Sequence, residues 1–63
     1  MRNNLKQLRE EHGMTQTELS LKTGLSRATI SKIENNEEAV INTRTMAKIC
    51  EVFSKPPGEI FLL

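Results

Sequence analysis

The 63-residue chain has no Trp, no Tyr and one Cys, with only two Pro and three Gly. Without Trp or Tyr, Phe53 and Phe61 are the only large aromatic anchors, so the core must be mostly aliphatic. A single cysteine excludes an internal disulfide and is ordinary for a reduced, cytoplasmic protein. No long apolar run occurs. The opening MRNNLKQLRE lacks the apolar stretch of a secretory signal, and the closing IFLL is far shorter than the roughly 20 residues of a membrane span. A strong excess of one charge is missing as well. Nine Lys and Arg against eight Asp and Glu leave a net charge of +1, so any argument for a nucleic-acid partner rests on local distribution.

Chemistry-bearing sets are equally scarce. There is no Gly-rich phosphate loop, no carboxylate pair and no Ser/His/Asp set, which argues against an enzyme. His12, just before Gly13, suits the last turn of a helix, where positive charge is favoured, rather than a metal. Cys50 lies on an apolar helical stripe and reads as a small core residue. No metal, cofactor or small-molecule ligand is expected. Repeats, low-complexity tracts and linkers are missing too, leaving residues 1–63 as a single expected domain. Chains below about 70 to 80 residues rarely bury a core worth more than a few kcal/mol unless helices pack efficiently or subunits associate, so association is expected.

What the chain does contain is a succession of helix signals. The spacing predicts a first helix from Leu5 to His12, with Asn4 and Gln7 as a capping box, Leu5 and Leu8 inward and Gly13 as terminator. Thr15 and Glu18 form a second capping box, and Gly24 ends the helix it opens. Ser26 caps a third helix. Asn35, Asn36, Glu37 and Glu38 form a polar exit, with Asn36 able to adopt the left-handed conformation. Ala39, Val40 and Ile41 then form an apolar loop that can lie on the core. Asn42 caps a fourth helix to about Phe53, with Met46, Ile49, Cys50 and Phe53 at i, i+3, i+4 and i+7. Pro57 suits the first position of a last short turn.

Residues 15 to 34, TQTELSLKTGLSRATISKIE, carry the functional signal. Two short helices joined by a three- to four-residue turn containing Gly describe a helix-turn-helix, whose second helix can enter the DNA major groove. Leu19, Leu25, Ile30 and Ile33 can close one small core, and Ser20 is small enough to permit close approach. On a 100° wheel, Ile30 and Ile33 define the inward direction; Ala28, Ser31, Lys32 and Asn35 fall roughly opposite, with Arg27 flanking them. Residues 19 to 33 contain Lys22, Arg27 and Lys32 and no acid, an asymmetry suited to phosphates and base edges. Solvated surface charge is the plainer use of Arg27 and Lys32.

The stretch LKQLREEHGMTQTELSLKTGLSRATISKIEN, followed by TMAKICEVF and PPGEIF, resembles the phage Cro and repressor-type helix-turn-helix of the XRE family over nearly the whole chain. The resemblance implies an all-α, compact five-helix domain with the helix-turn-helix formed by helices two and three. It implies base contacts from Arg27, Ala28 and Lys32, with Ser26 or Ser31 assisting at the groove edge. Phosphate contacts are implied for Gln16 and Asn35, and Ser26 belongs with them as a phosphate candidate. The family commonly pairs the positions of Arg9 and Glu34, which would tie the first helix to the DNA-reading one. Departures lie at Asn36, Glu37 and Glu38, where the family usually has glycine and a basic residue, and at Lys55, where it usually buries an aliphatic side chain.

The partner expected on these grounds is double-stranded DNA, read by a homodimeric transcription regulator of the repressor kind, with no membrane involved. Ile60, Phe61, Leu62 and Leu63 form an apolar cluster expected to supply the dimer surface; the alternative is that the tail folds onto its own first helix. The competing function class is a protein-interaction adaptor built on the same helix-turn-helix.

Overall fold

A computed structural model describes residues 2–36 and 39–62, the last of these by its backbone alone. The elements run β1 (Arg2–Asn3), α1 (Leu5–Glu11), α2 (Gln16–Thr23), α3 (Arg27–Asn35), α4 (Thr43–Phe53), α5 (Pro57–Ile60) and β2 (Phe61–Leu62). Leu5, Leu19, Ile30, Ile49 and Ile60, from all five helices, are fully buried together. Leu8, Ile33, Ile41, Cys50, Phe53 and Phe61 complete the cluster, with Met14, Leu25, Met46 and Val52 packed against it. Each fully buried aliphatic side chain stabilises by about 1.5–3 kcal/mol relative to exposure. The fold is therefore held mainly by branched aliphatic residues, as the lack of Trp and Tyr requires.

Most helix ends follow the expected chemistry. Thr15 Oγ1 accepts from the Glu18 amide at 3.1 Å while Glu18 Oε1 accepts from the Thr15 amide at 3.2 Å, a closed capping box. Ser26 and Asn42 cap α3 and α4 by accepting from the amides of Thr29 and Thr45. Pro57 stands at the start of α5, where its missing N–H leaves no bond unmade. Lys55 reaches Glu59 one turn on at 3.8 Å instead of entering the core.

Four local expectations are corrected. Asn4 occupies the start of α1, yet its side chain makes no cap. Its Nδ2 donates to Glu59 O at 3.1 Å, while Asn3 Oδ1 accepts from the Leu5 amide and Gln7 donates to Glu11. The exit of α3 is extended at Asn36 (φ −125°, ψ 102°) rather than left-handed, because the chain leaves in the β region. Among the described residues, the non-glycine residue that does adopt the left-handed conformation is Ser54 (φ 53°), which closes α4 with the Lys55 amide bonded to Cys50 O at 3.2 Å. In the apolar loop, Ala39 and Ile41 are buried, but Val40 is 98% exposed. Glu37 and Glu38 lie outside the described residues.

The fourth correction concerns the tail. Ile60 is fully buried and Phe61 nearly so, and β2 pairs antiparallel with β1 in the register Arg2↔Leu62 and Asn3↔Phe61. A two-residue ribbon is marginal by itself; burial of Ile60 and Phe61 holds it in place. The tail thus folds onto its own chain, and Ile60 and Phe61 are not a surface on which a second copy could dock. The physical reason is size: a core with so few large residues cannot leave these two outside. The Leu62 side chain and Leu63 lie outside the described residues.

Candidate nucleic-acid interface

The joint between α2 and α3 sets the geometry of the site. Gly24 adopts φ +77°, ψ 9°, where a side chain would be strained, and this turns the chain out of α2. Leu25 then packs against the core, and Ser26 opens α3. Two hydroxyls brace the turn. Buried Thr23 donates its Oγ1 proton to Leu19 O at 2.8 Å and accepts from the Leu25 amide at 3.2 Å. Ser20 donates to Leu25 O. By sequence Ser20 reads only as a small residue and Thr23 carries no expectation; a Thr just before a turn glycine, with a hydroxyl able to donate and accept, is the signal that marks it.

α3 buries Ile30 and Ile33 and turns the other side outward. Arg27, Ala28, Lys32 and Asn35 are exposed and Ser31 is half-buried, forming one stripe at i, i+1, i+4, i+5 and i+8. Neither Arg27 nor Lys32 forms an ion pair with a described residue. Asn35 Nδ2 donates to Ser31 Oγ at 3.1 Å, so these two are already linked along the stripe. Ser26 Oγ is engaged with both the amide and the hydroxyl of Thr29. A groove of about 290 Å³ opens beside this face, with Thr29 and Lys32 from α3 and Asn42 and Thr45 at the start of α4 among its lining residues.

The one acid of α3, Glu34, faces the other way. Its side chain is 1% exposed and receives Arg9 in a fork, Nε to Oε2 at 2.8 Å and Nη2 to Oε1 at 3.1 Å. Arg9 also donates Nη1 to Met14 O at 2.7 Å. The hydrogen bond to Glu34 raises the Arg9 pKa above its ordinary value; burial opposes this, while the negative charges of Glu34 and Glu10 add to it. Gln16, at the first position of α2, donates to Glu34 Oε1 at 3.1 Å. One carboxylate therefore joins α1, α2 and α3. Gln16 retains a second amide proton for a ligand at the α2 start.

His12 and Cys50 are both taken up by local contacts. His12 Nδ1 lies 2.9 Å from Leu8 O, and its ring meets Phe53 edge-on at 5.1 Å between centroids. Cys50 is buried, which pushes its thiol pKa up and disfavours the nucleophilic thiolate. Among the described residues no group of three His, Cys, Asp or Glu could hold a metal ion, and no helix is long and apolar enough to cross a membrane.

The model of the helix-turn-helix family matches residues 5–60, from the first residue of α1 to the last of α5. No curated protein matches the chain. The match spans both helices of the joint, the core beneath them and the exposed basic stripe of α3, and the chain belongs to the XRE-type helix-turn-helix family of DNA-binding transcription regulators.

Proposed function

We propose that this protein is a cytoplasmic repressor that reads a two-fold operator as a homodimer, with no catalytic activity of its own. The observation that carries the reading is the charge asymmetry of α3. Arg27 and Lys32 stand exposed on one side, while the only acid of the helix is buried on the other against Arg9. Arg27, Ala28, Ser31 and Lys32 contact base edges: Arg27 suits guanine O6 and N7, and Ala28 suits a thymine methyl. Gln16, Ser26 and Asn35 hold phosphates at the edges of the reading helix. For Ser26, whose hydroxyl caps α3, the site is the start of that helix, where free amides favour an anion. A single short helix offers few base contacts, so specificity comes from two copies on half-sites about one helical turn apart.

The competing adaptor reading draws on the modest net charge and on exposed Leu21 and Val40. Selection from randomised duplex DNA, followed by titration of the selected site at increasing salt, separates the two. A DNA reader enriches a two-fold sequence and loses affinity with a log–log slope of about −0.9 per neutralised phosphate. No enrichment, or binding indifferent to salt, would leave the adaptor reading.

A further inference from the structure

The reading helix is held at its last turn by a residue near the start of the chain. Asn3 Nδ2 donates to Ile33 O at 3.0 Å across 30 positions of sequence. Ile33 O belongs to the last four carbonyls of α3, which lack partners within the helix. Next to it, Lys32 O is bonded by the Asn36 amide, the helix's own cap. Asn3 itself is fixed by side chain and backbone, and its neighbour adds a further tie. Its Oδ1 accepts from the Leu5 amide at 3.0 Å, its backbone pairs with Phe61 in the β1–β2 ribbon, and the neighbouring Asn4 amide donates to Ile60 O at 3.0 Å. The ribbon that joins the two ends of the chain therefore reaches through one side chain to the last turn of α3.

We infer that Asn3 is a positioning residue for sequence reading: without touching DNA, it sets the direction of the C-terminal half of α3 and so the placement of Ser31 and Lys32. The start of α3 is held independently, by the Ser26 cap and the α2–α3 turn. Arg27 and Ala28 therefore stay in place when Asn3 is lost. Glu34 holds the same last turn through Arg9 and Gln16, and Ile30 and Ile33 seat the helix in the core. The Asn3 bond to the neighbouring Ile33 carbonyl adds a tie from a separate element, the β1–β2 ribbon, and fixes the direction in which the last turn leaves the core.

The inference rests on the proposed sequence-specific reading, and the experiment keeps the two apart. Asn3→Asp retains the acceptor for Leu5 and loses the donor to Ile33. Asn3→Ser is neutral, can still accept from Leu5, and is too short to reach Ile33. Both are compared with the parent and with Val52→Ala, which weakens the packing of α4 against the core and leaves the Asn3–Ile33 bond in place. Affinity is measured for the selected duplex and for random duplex at one salt concentration.

For both Asn3 variants the expected result is a loss of about three- to tenfold in the ratio of selected to random affinity, the range corresponding to one net hydrogen bond. Random-duplex affinity should stay within about twofold, as phosphate contacts tolerate a small rotation. The relaxed base positions should be those facing Ser31 and Lys32, and amide shifts of residues 31–35 in free protein should move. Val52→Ala should keep the parental ratio. An unchanged ratio in the Asn3 variants, the same loss in Val52→Ala, or unmoved amide shifts would overturn the inference while leaving the DNA reading intact. A parent without preference for any duplex overturns the sequence-specific reading, and the inference with it.

Discussion

Arg9→Ala should be among the most damaging single substitutions in this protein, although it removes no apolar core residue. The Glu34 side chain is 1% exposed, and the variant would leave its carboxylate with Gln16 as its remaining described partner. Removing one member of a buried ion pair costs about 3–5 kcal/mol, because the other charge stays desolvated. Domains of this size have a total stability of roughly 3–9 kcal/mol at about 0.05–0.15 kcal/mol per residue. With a urea dependence of about 1 kcal/mol/M, the midpoint should fall by about 3 M or more, so the variant is best compared with its parent in a common sulfate-stabilised buffer. Glu34→Ala should cost less, about 1–3 kcal/mol, since Arg9 is 11% exposed and keeps Met14 O as a partner. The double variant should be more stable than the sum of the singles implies, by about 1 kcal/mol or more. Strict additivity, or a cost for Arg9→Ala below about 1 kcal/mol in circular-dichroism melts, would refute the buried-charge argument and return the pair to the class of surface contacts.

Arg27→Ala should cost about 1–3 kcal/mol on the selected site and relax one position per half-site; an equal loss on random duplex would make Arg27 a phosphate contact. Gly24→Ala meets no atom within 4 Å, so its cost in a urea melt should be the backbone term alone, about 1–2 kcal/mol, and a larger loss would point to a clash. Burial holds the Cys50 thiol above its ordinary pKa, so the unfolded chain loses that proton first and stability falls as pH rises past the unfolded thiol's range. Cys50→Ala should show a shallower alkaline decline than the parent; identical slopes would show that the thiol does not contribute. Sedimentation on a two-fold duplex should give two copies per site, and one copy at high micromolar concentration would contradict the homodimer.

What the sequence disclosed and what it hid divide along a physical line. Signals that act within four residues were legible: the Thr15–Glu18 box, Gly24, the Ser26 and Asn42 caps, and Pro57 at the start of α5. The inward set Leu19, Ile30, Ile33, Ile49 and Phe53 followed from helical period, and the outward stripe from Arg27 to Asn35 is its complement. Hidden were the bonds that depend on where distant segments meet. Asn4 has the composition of a cap, yet Glu59 O lies within reach of its side chain and takes the bond instead. Asn3 carried no signal, because its partner at Ile33 becomes a neighbour only after the fold closes. Ser54 hid for another reason: its left-handed conformation is imposed by the tertiary path from α4 to α5, and serine has no local preference that announces it. The Arg9–Glu34 pair is also distant in sequence. It was foreseen only through family resemblance, which supplies the tertiary information that local pattern lacks.

The tail shows how burial redirects an argument about assembly. An apolar run at a chain end reads as a sticky surface when the core is assumed complete without it. Here Ile60 is fully buried, Phe61 is 2% exposed, and the ribbon they hold carries Asn3 to α3. Cutting the chain after Glu59 would remove both residues from the core, each contributing about 1.5–3 kcal/mol, against a total stability of similar size. Such a truncation would abolish operator binding by unfolding the monomer, and raising the protein concentration would not restore it. A lost dimer contact behaves differently, because mass action restores occupancy as concentration rises. Truncation therefore tests folding, and the two-fold model must be tested on the whole chain, by substituting what remains outside. Leu21, 81% exposed on α2, and Val40, 98% exposed before α4, are the large apolar side chains so placed among the described residues. Val40 shares its groove with Lys32, so a partner seated there would crowd the proposed reading face. Leu21→Ser is accordingly the substitution that probes assembly with the least direct effect on DNA contact.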